Sequence, residues 1–135
     1  MTTTTTAPLV ASGLSVSLTV KDLQESLRWY TELVGFTLDR MMERDGELRG
    51  AVISAGNVRM LLNQDDGGNG WERVKGQGFS ISINTEQDVD TIAKRVVDGG
   101  GKLTTEPADM PWGARAFRLH DPDGYQLSIS KLIKQ

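Results

Sequence analysis

A chain of 135 residues, 38% hydrophobic and 24% charged, has the composition of one soluble globular unit and is long enough to bury roughly two thirds of its unfolded surface. Its net charge of −3, with no Lys/Arg stripe to replace phosphate counterions, argues against nucleic acid as a partner. It has no cysteine for a disulfide, a thiolate nucleophile or a sulfur metal site, and no apolar run approaches the ~18 residues of a membrane span.

Residues 1–12, "MTTTTTAPLVAS", lack the basic start and apolar centre of a signal peptide. They are expected to form a flexible tail on a cytoplasmic chain, with anchoring by Leu9 and Val10 as the alternative. From Gly13 the chain reads "GLSVSL", with Val16, Leu18 and Val20 alternating with Ser15, Ser17 and Thr19. Period-two alternation predicts a strand with one buried face. Asp22 can cap a following helix, with Glu25 completing a capping box. Leu23, Leu27, Tyr30 and Val34 recur at helical spacing, and Gly35 stops the helix. Three strand-like runs follow, "FTLDRMMER", "ELRGAVISAG" and "NVRMLLN".

The Gly-, Asp- and Asn-rich stretch over residues 64–77 is expected to be a flexible linker. Such a linker leaves open whether the two halves pack within one chain or between subunits. From Gly78 the pattern begins again as "GFSISI": Phe79, Ile81 and Ile83 alternate with Ser80, Ser82 and Asn84. Thr85 and Asp88 supply a cap, Val89, Ile92 and Val96 a helical stripe, and Gly99 to Gly101 the stop. The runs "KLTTEP", "ARAFRLH" and "YQLSISKLI" complete the half, the last two joined by the turn "DPDG". Each half is therefore β-α-β-β-β, a duplication spanning residues 13–63 and 78–135. The predicted class is α+β, one compact domain of two tandem modules.

Paired modules of this order, with "VKDLQESLRWYTELVGF" in the first and "WGARAFRLHDPDGYQLSIS" in the second, resemble the vicinal oxygen chelate superfamily. That group includes glyoxalase I, extradiol dioxygenases, fosfomycin-resistance enzymes and bleomycin-resistance proteins. The resemblance implies a curved, cup-shaped mixed sheet with the helices outside. It also implies that the enzymes' metal ligands project into the cup from the first and last strands of each module. Those positions correspond here to Ser15, Ser80, Ser128 and either Leu61 or Met60, depending on register. Hydroxyl and alkyl side chains are poor ligands for divalent ions, so the expectation is a chain with no metal and no cofactor.

The polar faces of the repeated strands would then line the cup with Ser15, Ser17, Thr19, Ser80, Ser82, Ser128 and Ser130, beside Asn84 and Gln126. Small hydroxyls leave room for a ligand and bond to it as donors or acceptors. The alternative is a solvated face, or one packed in a dimer. Bleomycin-resistance proteins are the nearest functional likeness, through "PWGARAFRLHDPDG". The likeness makes Trp112 a stacking platform for a planar ligand, against the alternative of a hairpin tryptophan packed for stability.

Trp71 reads as a rim contact or a plug on a partner subunit, and Trp29 as core. Arg115 and Arg118, with Arg49 and Arg59 from the first module, can meet an anionic ligand or stand as edge charges. His120, the only histidine, has no patterned partner and reads as a surface group. No Ser-His-Asp arrangement is apparent. Asp65, Asp66, Gly67 and Gly68 match part of a calcium loop without its ligand spacing, and Glu43, Asp45 and Glu47 mark a hairpin tip.

Three readings of function follow. The leading one is a metal-independent protein that binds a small planar or aromatic molecule, possibly an antibiotic, and sequesters it. The others are a glyoxalase- or dioxygenase-type enzyme with atypical or absent metal ligands, and a module with an empty cup. A homodimer is expected because open sheet edges need covering and relatives of this kind pair.

Overall fold

The computed structural model describes residues 7–133, so the threonine run of the expected tail lies outside the described residues. The first module consists of β1 (Val16–Val20), α1 (Leu23–Arg28), β2 (Thr37–Arg44), β3 (Glu47–Ala55) and β4 (Val58–Gln64). The second consists of β5 (Ile81–Asn84), α2 (Val89–Asp98), β6 (Thr105–Asp109), β7 (Ala114–His120) and β8 (Gln126–Leu132). Each module forms its own four-stranded sheet, in the orders β1-β4-β3-β2 and β5-β8-β7-β6. In each, the first and last strands pair parallel and the other pairs are antiparallel. This is the expected α+β tandem, and neither sheet closes into a barrel.

The helices start where the capping residues place them. Asp22 Oδ1 accepts from the Glu25 backbone N–H at 3.2 Å, and Asp88 Oδ2 from that of Thr91 at 3.3 Å. Thr85 stands outside the second cap, in a turn where its hydroxyl oxygen accepts from the Gln87 N–H. After Arg28 the first helix continues without a break as a π-helix over Trp29–Val34. Leu33 is buried, and the expected stripe residue Val34 is only half-buried. The backbone N–H groups of Gly35 and Phe36 both donate to the Tyr30 carbonyl, at 3.0 and 2.9 Å. Gly35 has φ 107°, a left-handed stop that a side chain would strain.

The apolar faces of both sheets and both helices merge into one core, with Leu18, Tyr30, Leu62, Val96, Phe117 and Leu127 almost wholly buried. Three sets of polar contacts tie the modules together. Tyr30 Oη donates to Asp121 Oδ2 at 2.8 Å in the interior. Asp121 Oδ1 in turn accepts from the backbone N–H groups of Asp123 and Tyr125, fixing the "DPDG" turn. At the edge of β1 that faces away from β4, Asp123 Oδ1 accepts from the Lys21 N–H and Tyr125 Oη donates to the Thr19 carbonyl. On the helix side, Arg95 of α2 donates to the Thr31 and Glu32 carbonyls, placing a cation at the end of the first helix. The two modules thus meet within the chain.

The connection between modules is less free than its composition implies. Lys75, with its side chain 6% exposed, lies 3.1 Å from Asp65 and 3.4 Å from Asp123. Asp65 also accepts from the Gly67 N–H and from Arg73. The acid that resembled part of a calcium loop is thus occupied by the chain's own donors.

Burial pushes the Asp121 carboxyl and the Tyr30 hydroxyl above their ordinary ranges, so their shared bond matters to both. Tyr30→Phe keeps the ring and strips Asp121 of a buried donor. It should lower the unfolding free energy by about 1–3 kcal/mol in a denaturant titration, with the slope unchanged. An unaltered midpoint would show that this bond does not hold the junction.

Candidate functional site

Opposite the helices, each sheet turns a polar face outward. In the second module Ser82 stands beside Ser128 and Asn84 beside Ser130, and the Ser130 hydroxyl donates to Asn84 Oδ1 at 2.9 Å. In the first, Ser17 opposes Leu61 and Thr19 opposes Asn63, whose Nδ2 donates to Ser17 Oγ at 2.6 Å. Ser15 and Ser80 lie just before their strands. All these side chains are on the polar side of their sheets, but they do not converge in an enclosed hollow. Ser15, Ser17, Ser80 and Ser82 are exposed, and Thr19, Ser128 and Ser130 half-buried.

Two clefts open along these faces, each lined by one module. The first, about 520 Å³, takes Ser15 together with Asp39, Ser54, Asn57 and Arg59. Asp39 is occupied there, accepting from the Ser54 hydroxyl at 2.8 Å. The second, about 380 Å³, brings Ser130 together with Trp112, Asn84, Glu86 and Leu132. Ser17, Thr19, Ser80, Ser82 and Ser128 line neither cleft. The Trp112 indole is 65% exposed, so it is not packed into its hairpin. Trp29 is half-buried, edge-on to Tyr30 at 4.8 Å between ring centroids, in keeping with a core role. Trp71 lies across Gly67.

Arg115 stands apart from the polar face. It shares the helix side of β7 with Phe117 and Leu119, and its guanidinium donates to both oxygens of Asp90 and to Asp109, at 2.7–2.9 Å. Two carboxylates already satisfy the group expected to meet a ligand. Arg118 is exposed on the polar side, opposite Ser128. His120 Nδ1 lies 2.8 Å from the Thr104 hydroxyl, a surface pairing. Sequence reasoning passed over Glu86, although its place two residues after the end of β5 put it near the rim of that strand's polar face.

The register settles the equivalent of the metal-ligand position in the first module. Leu61 opposes Ser17 as Ser128 opposes Ser82, whereas Met60 is in the core. Ser15, Ser80, Ser128 and Leu61 offer three hydroxyls and an alkyl group, a donor set that does not fit a divalent ion. Among the described residues, no three or more His, Asp or Glu side chains are grouped to hold a metal.

Tandem βαβββ modules, each with its helix on one side and a polar sheet face on the other, define a class of protein with paired four-stranded sheets. The Glyoxalase/Bleomycin resistance protein/Dioxygenase superfamily profile matches residues 14–129, and the chain belongs to that family. A probable lactoylglutathione lyase of Synechocystis sp. is 29% identical over 122 residues, covering 86% of this chain and 92% of the relative. Among solved structures, TioX from Micromonospora sp. ML1 superposes with a TM-score of 0.73 at 20% identity, covering 90% of this chain and 98% of TioX. A glyoxylase/bleomycin resistance protein/dioxygenase domain from Frankia sp. EAN1pec gives 0.72 at 25% identity, covering 91% and 93%. No helix among the described residues is long and apolar enough to cross a membrane.

The Arg115 hydrogen bonds hold the Asp90 carboxyl below the usual carboxylate range. A folded-state value below the unfolded one contributes stability at neutral pH, which is lost as pH falls through the folded value. Arg115→Gln should therefore lower the melting temperature at pH 7, and its deficit should shrink on acidification below about pH 4. A deficit independent of pH between 7 and 3 would show that the ion pair is not its source.

Proposed function

We propose that this chain is a metal-independent binding member of its family that sequesters a planar or aromatic small molecule, with antibiotics among the classes to test. The observation that carries this reading is the second cleft, which is lined by both the exposed Trp112 and the hydrogen-bonded Ser130–Asn84 pair. A ring laid on Trp112 gains about 0.5–1.5 kcal/mol beyond its buried area, and the amide and hydroxyl opposite can orient its polar edge. The cleft offers one carboxylate, Glu86, and the hydroxyls of Thr85 and Ser130 without a metal-ligand set, and this reading assigns it the chemistry of holding. Homodimerisation belongs to the same reading. Leu132 and Ile133 beside the cleft are 57% and 49% exposed, and the outer edge of β5 carries no charge and no proline to protect it.

A second reading, a lyase, is favoured by the Synechocystis relative's name and opposed by the hydroxyls at the ligand positions. Metal analysis after dialysis, combined with thermal-shift screening of antibiotics and aromatic metabolites, separates the two. The expectation is less than stoichiometric zinc, nickel, iron or manganese. A ligand at a hundred times its dissociation constant should add about 2.7 kcal/mol of stability. Stoichiometric metal, together with turnover of a glutathione hemithioacetal, would replace the binding reading with the lyase. A monomer at micromolar concentration in sedimentation would remove the dimer.

A further inference from the structure

We infer that the second cleft selects planar cations, and that Glu86 supplies the selection. This rests on the binding reading above and adds the charge class of the ligand. Of the side chains lining the cleft, Glu86 alone carries a formal charge; the others are polar, aliphatic or the Trp112 indole. It is exposed, and among the described residues it joins no ion pair.

The cations nearest in sequence to the lining residues are turned away. Arg115 follows Ala114, and Lys131 lies between Ser130 and Leu132, but strand alternation sends both to the helix side, where they oppose each other in register. Arg115 is further held there by Asp90 and Asp109. Arg118 does lie on the polar side, opposite Ser128, which puts it about 7 Å along the sheet from the Ser130 row and about 13 Å from Ala114 at strand rise. The lining itself therefore carries one negative charge and no cation, together with the exposed Trp112.

Both features favour the same ligand. The negative face of an aromatic ring attracts a cation, and a carboxylate at the rim adds Coulomb attraction of the same sign. A planar anion would meet repulsion from both. A planar neutral molecule would keep the stacking alone.

Calorimetric titration with proflavine, a planar cation, and anthracene-9-carboxylate, a planar anion of similar ring count, tests this on the full chain. Proflavine should bind more tightly at low salt, and its advantage should shrink as added salt screens the charge. Glu86→Gln should weaken proflavine about three- to fivefold and leave or improve the anion. Trp112→Ala should weaken both by about tenfold. Glu106→Gln, an exposed acid outside the cleft, serves as the control and should change neither. All three positions are exposed, and equal melting temperatures confirm folding. If both probes bind equally and depend on Trp112 but not on Glu86, the cleft stands and the charge selection falls. If neither binds, or Trp112→Ala changes nothing, the binding reading falls and this inference with it.

Discussion

The hydrogen bond from Tyr30 to Asp121 joins the two halves at the one place where helix, turn and strand edge all meet. Asp121 is buried and its other oxygen holds two backbone N–H groups of the "DPDG" turn, so the tyrosine reaches a carboxylate already committed to shaping that turn. Asp123 and Tyr125, positioned by the turn, then bond to the backbone at the free edge of β1. The linker joins the same cluster through Lys75, whose ammonium sits between Asp65 and Asp123. A buried ion pair alone is weak evidence of stability. Here it has a geometric consequence: it returns the linker to the turn that organises the second module, so the orientation of the two sheets is set by several short bonds around one buried carboxylate.

Within that fixed orientation one sequence device, the two-residue period, determines which side chains the sheets turn outward. A strand offers alternate side chains to opposite faces, so committing Leu18, Val20, Ile81 and Ile83 to a shared core commits Ser17, Thr19, Ser82 and Asn84 to the other side. The faces hold small hydroxyls and amides, several of them bonded to each other across neighbouring strands. Such pairs leave shallow, polar ground rather than a sealed cavity. Depth comes from what rises at the ends of the strands, notably Trp112 from the β6–β7 hairpin and Glu86 just beyond β5.

Much of this was legible in the sequence because the signals are local. Alternation in "GLSVSL" and "GFSISI", the Asp22 and Asp88 caps and the Gly35 stop each act within a few residues, and their repetition gave the tandem architecture. The direction of Arg115 was legible as well: Phe117 and Leu119 share its parity on β7 and point into the core, so the arginine had to follow them to the helix side. The π-helix was not legible, since Trp29 to Val34 carry nothing that separates a wide turn from an ordinary one, and the burial of Leu33 rather than Val34 appears only in three dimensions. Nor could the linker's composition show that Lys75 would be buried, because both of its acidic partners are chosen by the fold and one lies in the far turn.

The site itself was half legible for a related reason. The sequence identifies which residues face away from the core, but not whether those faces curve toward one another far enough to enclose anything. Ser15 and Ser130, both expected in one hollow, line separate clefts. A metal centre would tolerate little of this openness, because an ion needs several charged or imidazole donors at fixed short distances. A flat organic ligand needs far less: one ring to lie on, one or two hydrogen bonds at its edge, and a charge of suitable sign nearby. On the reading proposed above, hydroxyls at those positions suit this fold to holding an organic molecule directly rather than through an ion, with the cleft around Trp112 as the proposed place.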